Sequence, residues 1–245
     1  MKLKQNISKL CILSMCFILC ITSVLAQDVY KDQDYGVFSY YEVAAGLVPG
    51  KSIKSEKKSG NIVCVVRIYS DSSASESSSN PSDTGHTFLT FLNTTTSNIT
   101  VGRHTVAPNK MVSIGKFGKF DEYKGAFYNV ETSRKERKNW YTGAKSIYME
   151  LTASQLQTIS TYLKNNQSGY SLIGNNCSTY AVRAWNSLLS TNDDQYIDHY
   201  ASPTTVYQEI ENIGYCLEGN LLLNADYELC YYNGSTQVLC TDYIK

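Results

Sequence analysis

The segment Gly85-His86-Thr87-Phe88-Leu89-Thr90-Phe91-Leu92 lies in the 245-residue chain and carries apolar side chains at both odd and even positions. A strand with this pattern is buried on both faces, so the segment predicts a central strand of a sheet. It follows a serine-rich stretch, residues 70–82, whose composition predicts a loop that overhangs the start of the strand.

The surrounding sequence predicts a mostly antiparallel sheet. Short strands are expected at residues 61–69, 111–114, 126–131 and 146–151. A Thr/Ser/Asn turn at residues 93–97 predicts that residues 98–106 form a hairpin with the central strand. The basic run at residues 134–138 is interpreted as a solvated loop or helix face.

Three helices are predicted in the second half of the chain. Thr152-Ala153-Ser154-Gln155 has the form of a capping box, and a second helix is expected to begin at Asn176 or Cys177. Ser202-Pro203 begins a third helix, which ends at Gly214. Helices that follow a run of strands indicate an α+β fold. The helix that bears Cys177 is expected to pack in the core.

The N-terminus predicts export from the cytoplasm. Lys2, Lys4 and Lys9 precede an apolar run at residues 10–21, which is typical of a secretory signal peptide over residues 1–26. The alternative is a retained anchor, but this run is shorter than the roughly 20 residues that span a bilayer. We therefore expect a secreted or extracytoplasmic protein without stable membrane insertion after signal cleavage.

The mature chain divides into an irregular N-terminal wrap (27–60), a main domain (61–214) and a C-terminal β-hairpin appendage (215–245). The leader carries three of the 22 basic residues and no acidic ones, so 19 basic and 22 acidic residues remain, a formal charge of −3. This balance argues against a nucleic-acid partner. Only three histidines are available, and no glycine-rich phosphate loop occurs, so no metal or other cofactor is expected.

Five of the eight cysteines remain after the leader is removed. An odd number in an exported protein leaves one thiol unpaired, and the sequence around Cys177 favours that residue. The other four predict two disulfides in one of three pairings, although reduced thiols throughout, or a bridged Cys177, are alternatives. These four are Cys64, Cys216, Cys230 and Cys240.

Cys177 and His86 are the candidate nucleophile and base. A helix N-terminus lowers the pKa of a cysteine, because its unpaired N–H groups favour a negative charge. Cys177 also lies on the apolar stripe of its helix, so its sulfur is expected to point towards the sheet that carries His86. An imidazole within hydrogen-bonding reach would pair with the thiolate and protonate a leaving group.

A third polar group is expected to orient the imidazole. A hairpin centred on Thr95 would place His86 opposite His104, which makes His104 the predicted orienting residue. A loop shorter by one residue would instead turn Thr105 towards the site. Thr100 and Asn98 are further alternatives for this role.

Each of these residues also has a structural interpretation. A lone cysteine on an apolar helix face is usually a small hydrophobic residue, and a histidine that begins a strand is usually hydrogen-bonded for structural reasons. Their joint occurrence, in an exported chain with one thiol in excess, favours the catalytic interpretation.

At these residues the chain resembles the circularly permuted papain-fold cysteine hydrolases, the group that contains NlpC-like cell-wall peptidases and lecithin:retinol acyltransferase relatives. The resemblance rests on Gly85-His86-Thr87-Phe88 and on Asn176-Cys177-Ser178-Thr179-Tyr180-Ala181, and it covers residues 61–214. It implies a papain-like domain that acts through a thioester, with Cys177 attacking and His86 transferring the proton.

The resemblance leaves the substrate open among several classes. Relatives cleave peptide bonds in murein, cleave other amides or transfer acyl chains. For an exported chain, a cysteine peptidase or amidase acting on peptide, murein or other amide bonds is the preferred hypothesis. A non-catalytic secreted binding or adhesion module that uses its many tyrosines, or a lipid acyltransferase, is the alternative.

Overall fold

The computed structural model describes residues 37–51, 61–72, 85–120, 123–218 and 228–240. The predicted signal peptide, part of the N-terminal wrap and most of the serine-rich loop therefore lie outside the described residues. Within the described ranges, no helix is long and apolar enough to cross a membrane.

The described chain is a mixed α+β structure. Its strands are β1 Ile62–Asp71, β2 His86–Asn93, β3 Ile99–Val101, β4 His104–Val106, β5 Met111–Phe120, β6 Tyr123–Tyr128, β7 Lys145–Thr152, β8 Leu217–Glu218, β9 Cys230–Asn233 and β10 Thr236–Leu239. Its helices are α1 Tyr40–Ala44, α2 Val130–Lys138, α3 Ala153–Asn165, α4 Cys177–Asn186 and α5 Pro203–Ile213.

Eight strands form one sheet in the order β10-β9-β6-β5-β2-β1-β7-β8. Every described pairing within it is antiparallel. β2 lies between β1 and β5, and all eight of its residues are buried. The prediction of a central strand at residues 86–92 is therefore confirmed.

Both faces of the sheet are covered, which explains the apolar residues at both parities of β2. One face packs against α3, α4 and α5, and the other packs against the segment that contains α1. Leu89 and Phe91 point to the first face, whereas Phe88 and Leu92 point to the second. His86 has the parity of Phe88, so its side chain belongs to the second face.

The three helices predicted for the second half of the chain are confirmed, and each begins with a capping box. Thr152, Asn176 and Ser202 each accept a hydrogen bond from the N–H three residues later, and the residue there bonds back. Such a reciprocal cap satisfies two backbone donors that lack a partner inside the helix.

The predicted hairpin between the central strand and residues 98–106 is wrong. These residues instead form a separate two-stranded hairpin, β3 and β4, in which Val101 pairs with His104. Gly102 adopts a positive φ of 61° in its two-residue turn, a conformation that glycine permits and that tight hairpins require. The partner of β2 on this side is β5, with Phe88 opposite Gly115.

The described C-terminal strands β8, β9 and β10 belong to the main sheet and do not form a separate appendage. The predicted hairpin is present as β9 and β10, but β9 pairs with β6 at one edge of the sheet. At the other edge, β8 pairs with β7. The sheet thus extends beyond the predicted domain boundary at residue 214.

The two expected disulfides are not formed in the structure. None of the cysteines in the described part of the chain forms a disulfide; these are Cys64, Cys177, Cys216, Cys230 and Cys240. Cys230 and Cys240 are neighbours in the β9–β10 hairpin, but they contribute to different hydrophobic clusters. Their side chains point to opposite sides of the hairpin, which prevents a disulfide between them.

A buried ion pair attaches α1 to the sheet. The Arg67 guanidinium in β1 donates from Nε to Oε1 of Glu42 over 2.8 Å and from Nη2 to Oε2 over 2.6 Å. Both side chains are 1% exposed. Planar double contacts of this kind are the strongest charge-assisted hydrogen bonds, so α1 is tightly positioned on the second face.

We expect Glu42→Gln to destabilise the protein by about 3–5 kcal/mol, because the variant leaves a buried guanidinium without its counter-charge. Equilibrium unfolding in urea measures the change. Glu209→Gln is the matched control, since Glu209 bonds His199, whose side chain is 78% exposed. A loss below about 1 kcal/mol in Glu42→Gln, the range typical of exposed pairs, would contradict this prediction.

Candidate active site

Cys177 is the first residue of α4, and its position is set by the cap of that helix. The Asn176 side chain accepts a hydrogen bond from the Thr179 N–H over 2.9 Å. It also donates to the carbonyl oxygens of Leu172 (3.0 Å) and Ala201 (2.9 Å). The cap therefore joins the start of α4 to two neighbouring segments.

A row of buried hydroxyl groups holds the same end of α4 against the sheet. The Ser178 and Thr87 hydroxyls are 3.0 Å apart, and those of Thr87 and Ser70 are 2.9 Å apart. Ser70 donates to the carbonyl oxygen of Pro203 over 2.7 Å. These contacts connect α4 with β2, β1 and the start of α5.

His86 begins β2 and is opposite Asp71 of β1. Gly85, directly before it, has a φ of 72°, and a Cβ at this position would lie 2.1 Å from the carbonyl oxygen of Asp71. Only glycine tolerates this combination of conformation and close approach. The glycine before the histidine is therefore required by the backbone at the entrance to the strand.

Glu131, in the first turn of α2, is the acidic partner of His86. Its Oε1 lies 2.9 Å from Nε2 of His86. Its Oε2 accepts a hydrogen bond from the Ser113 hydroxyl over 2.7 Å. The Glu131 side chain is fully buried and that of His86 is 8% exposed, so solvent screens this charge pair weakly.

The structure brings Cys177 to the same imidazole. The Cys177 thiol lies beside the His86 ring and the Thr87 backbone N–H, and both favour the charged form of the sulfur. Because His86 Nε2 faces Glu131, the nitrogen available to the sulfur is Nδ1. The three side chains thus form a Cys177–His86–Glu131 constellation with the geometry of a nucleophile, a base and an orienting carboxylate.

The electrostatics of this group favour an ion pair between sulfur and imidazole. Burial would lower the pKa of His86, but the hydrogen bonds and charges of Cys177 and Glu131 raise it to about 9. Burial would raise the pKa of the Cys177 thiol, but His86 and the Thr87 N–H lower it below its usual value. A thiolate is the nucleophilic form of cysteine, and the lowered pKa of Cys177 favours that form.

The prediction that His104 orients His86 is wrong. The His104 ring stacks on Tyr128 with 5.1 Å between ring centroids, and its Nδ1 lies 3.4 Å from the Tyr232 hydroxyl. Tyr128 packs on the face of the sheet covered by α3, α4 and α5, opposite to His86. The alternatives Thr100 and Thr105 pair with each other in the β3–β4 hairpin, and Asn98 directly precedes it.

The sequence interpretation missed Glu131 because it placed residues 126–131 in a strand. The strand β6 ends at Tyr128, and α2 begins at Val130. An indication was present: Asn129 followed by Glu131 and a run of good helix formers is a typical helix start. Asn129 adopts a left-handed φ of 64°, which asparagine tolerates better than most residues and which turns the chain sharply from strand to helix.

The described residues hold no group of three His, Cys, Asp or Glu side chains arranged to bind a metal ion. Comparisons with protein-family models, with curated proteins and with solved structures give no match.

Gly115 provides the space through which Glu131 reaches His86. A Cβ at this position would lie 1.8 Å from Oε1 of Glu131 and 2.7 Å from Nε2 of His86. We expect Gly115→Ala to break the contact between these side chains and to lower the alkylation rate of Cys177 at pH 7 by at least about tenfold. Alkylation by iodoacetamide with peptide mapping measures the rate.

Gly143→Ala is the matched control for this substitution, because a Cβ there meets nothing within 4 Å. Circular dichroism establishes that both variants fold. An unchanged alkylation rate in folded Gly115→Ala would show that the contact between Glu131 and His86 does not control the thiol.

We expect Glu131→Gln to move the pH profile of Cys177 alkylation to higher pH. Removal of the carboxylate charge lowers the pKa of His86, and loss of the imidazolium then raises the pKa of the thiol. In the wild type, the alkylation rate should already be high well below pH 9, the ordinary thiol pKa. The measurement is the alkylation rate of Cys177 between pH 5 and pH 10, about the range in which both groups titrate.

Glu209→Gln is the control, since it removes a carboxylate that lies 2.9 Å from an exposed histidine, His199. Its profile should coincide with that of the wild type. Coincident profiles for wild type and Glu131→Gln would refute the assignment of Glu131.

Proposed function

We propose that this protein is an exported cysteine hydrolase, a peptidase or amidase of the permuted papain-like kind, that acts through a Cys177 acyl-enzyme. Peptide or cell-wall amide bonds are the proposed substrate class. The observation that carries the proposal is the buried Cys177–His86–Glu131 constellation, in which Nε2 of His86 lies 2.9 Å from Oε1 of Glu131 and the same ring lowers the pKa of the Cys177 thiol.

The positions of these residues in the fold also support the proposal. The histidine begins the central strand of an antiparallel sheet, and the cysteine begins a helix packed on that sheet. This is the arrangement that the resemblance to permuted papain-fold hydrolases implies. The histidine precedes the cysteine along the chain, and this order does not count against the proposal, because a catalytic group is defined by its geometry.

The proposed reaction begins when the Cys177 thiolate attacks the carbonyl carbon of the substrate. The carbonyl electron pair moves to oxygen, and the backbone N–H of Cys177 stabilises the resulting oxyanion. The His86 imidazolium then gives its proton to the departing amine, which leaves a thioester on Cys177. Glu131 holds the ring orientation and offsets the positive charge of the imidazolium.

Water completes the proposed cycle. Neutral His86 takes a proton from a water molecule, whose oxygen attacks the thioester carbon. The second tetrahedral intermediate expels the Cys177 thiolate, and the acid product leaves. The ion pair between Cys177 and His86 is then restored. Transfer of the acyl group to an alcohol or amine would follow the same steps with a different acceptor, so product analysis distinguishes acyl transfer from hydrolysis.

The alternative of a non-catalytic binding module makes a different prediction for Cys177. A structural cysteine does not need a charged partner, and a buried charge destabilises a fold unless it is paired. The contact of Cys177 with a buried imidazole that itself faces a buried carboxylate therefore favours catalysis over a purely structural role. An unreactive Cys177 thiol would favour the binding module.

We expect Cys177→Ala and His86→Ala each to abolish hydrolysis without loss of folding, because one variant lacks the nucleophile and the other its proton carrier. The assay compares release of peptide fragments from purified murein and from a panel of peptide 4-nitroanilides. Circular dichroism monitors folding.

The matched controls are Cys216→Ala, which removes a partly exposed free thiol, and His199→Ala, which removes an exposed imidazole. Both should retain wild-type activity on any substrate that the wild type cleaves. Wild-type rates in either Cys177→Ala or His86→Ala would eliminate the proposed mechanism.

A further inference from the structure

Lys116 is a buried lysine in the middle of β5, and only 2% of the residue is exposed. Its Nζ donates to the carbonyl oxygen of Asn166 over 2.9 Å and to the side-chain oxygen of Asn175 over 2.6 Å. The same nitrogen lies 4.9 Å from the centroid of the Tyr180 ring. All three partners are neutral, and no carboxylate of the described residues forms an ion pair with this ammonium.

A buried ammonium without a counter-charge costs folding free energy, because neutral acceptors replace its hydration only in part. Burial lowers the pKa of Lys116 to about 8, so the group still carries its charge at neutral pH. An apolar side chain in the same place would avoid this cost. The presence of a lysine is therefore better explained by what its ammonium holds in place.

The partners of this ammonium all belong to elements that place the nucleophile. Asn166 directly follows α3, and Asn175 directly precedes the Asn176 cap of α4. Tyr180 lies in α4 itself, three residues after Cys177 and therefore on the same side of the helix. One charged group thus contacts the segment that leads into α4 and the first turns of that helix.

The segment between α3 and α4, residues 166–175, is attached to the sheet at both of its ends. At its start, the N–H of Ala126 donates to the carbonyl oxygen of Gln167 over 2.8 Å, and the N–H of Gly169 donates to that of Lys124 over 2.9 Å. These bonds connect it to β6. At its other end, the bond from Lys116 attaches the residue before the cap to β5.

Two consecutive residues of β5 contribute to opposite sides of the candidate site. Gly115 leaves the space in which Glu131 meets His86. Side chains alternate between the faces of a strand, so Lys116 belongs to the other face, where it contacts α4 through Tyr180. One residue therefore gives room to the partner of the imidazole, and the next one contacts the helix that carries the thiol.

We propose that Lys116 is a positioning residue of the active site: its buried ammonium fixes the start of α4 so that the Cys177 sulfur lies beside the His86 ring. Asn175 transmits the effect, because it joins the ammonium to the cap of the helix. This inference rests on the proposed function, since it treats Cys177 as the nucleophile. It adds a residue that neither the strand motif nor the helix motif includes.

The test compares Lys116→Met, which keeps an unbranched side chain but removes the charge and its donors, with Asn175→Ala, which removes one acceptor. We expect each variant to move the midpoint of the pH profile of Cys177 alkylation to higher pH. The rate at pH 7 should fall by about tenfold or more, because a thiol that loses its imidazole neighbour regains a higher pKa. Iodoacetamide labelling with peptide mapping measures the profile, and circular dichroism establishes folding.

Two further variants separate positioning from a general loss of stability. Glu42→Gln breaks the buried ion pair on the other face of the sheet, and its alkylation profile should coincide with that of the wild type. The double variant Lys116→Met/Asn175→Ala should match Lys116→Met alone, because both substitutions remove the same hydrogen bond.

A Lys116→Met profile that coincides with the wild-type profile would overturn the positioning role. An equal displacement in Glu42→Gln would also overturn it, since the profile would then follow stability. Additive displacements in the double variant would show that Lys116 does not act through Asn175, and they too would refute the proposal. If Lys116→Met does not fold, Asn175→Ala decides alone, and an unchanged profile in that variant contradicts the inference.

The proposed function is tested separately with 4-nitrophenyl acetate, an ester that acylates reactive thiolates. Equal nitrophenolate release by wild type and Cys177→Ala would refute acyl transfer by Cys177. The alkylation profiles need no substrate, so they decide the role of Lys116 whichever result the ester gives.

Discussion

The complete burial of β2 is the constraint on which the rest of the structure depends. A strand whose residues are all buried requires a packed layer on each side of its sheet. The helix α4 lies on one face of the sheet and α2 lies near the other. Both helices extend to the first residue of β2. His86 therefore lies where a cysteine from one layer and a carboxylate from the other can meet on a single imidazole ring.

Burial of charge gives this protein two sites with different consequences. Arg67 and Glu42 are matched by a double hydrogen bond, and they hold α1 against the sheet. In the Cys177–His86–Glu131 group the imidazole has two acidic partners, and the charge of the sulfur depends on the proton that the ring holds. The charges of the first pair balance each other, whereas in the proposed function the second group keeps a nucleophile ready for a substrate. Perturbed pKa values of this kind concentrate at functional sites.

The parts of the site that were predicted from sequence depend on local patterns. The apolar residues of β2 indicated its central position, and the Asn176 cap indicated that Cys177 begins a helix. Glu131 was not predicted, because its place depends on the left-handed turn at Asn129 and on the absence of a side chain at Gly115. The choice of His104 depended on an assumed pairing between distant strands, and β2 pairs instead with β5.

The sequence by itself determined the α+β class, the buried central strand and the capped helices, and it indicated Cys177 and His86 as candidate site residues. These features follow from side-chain periodicity and from capping, which involve residues close together in the chain. Only the tertiary structure decided the strand order and the carboxylate that faces His86. Such contacts join residues far apart in sequence, and they depend on how the two faces of the sheet are packed. No single segment of the sequence carries the information that decides this packing.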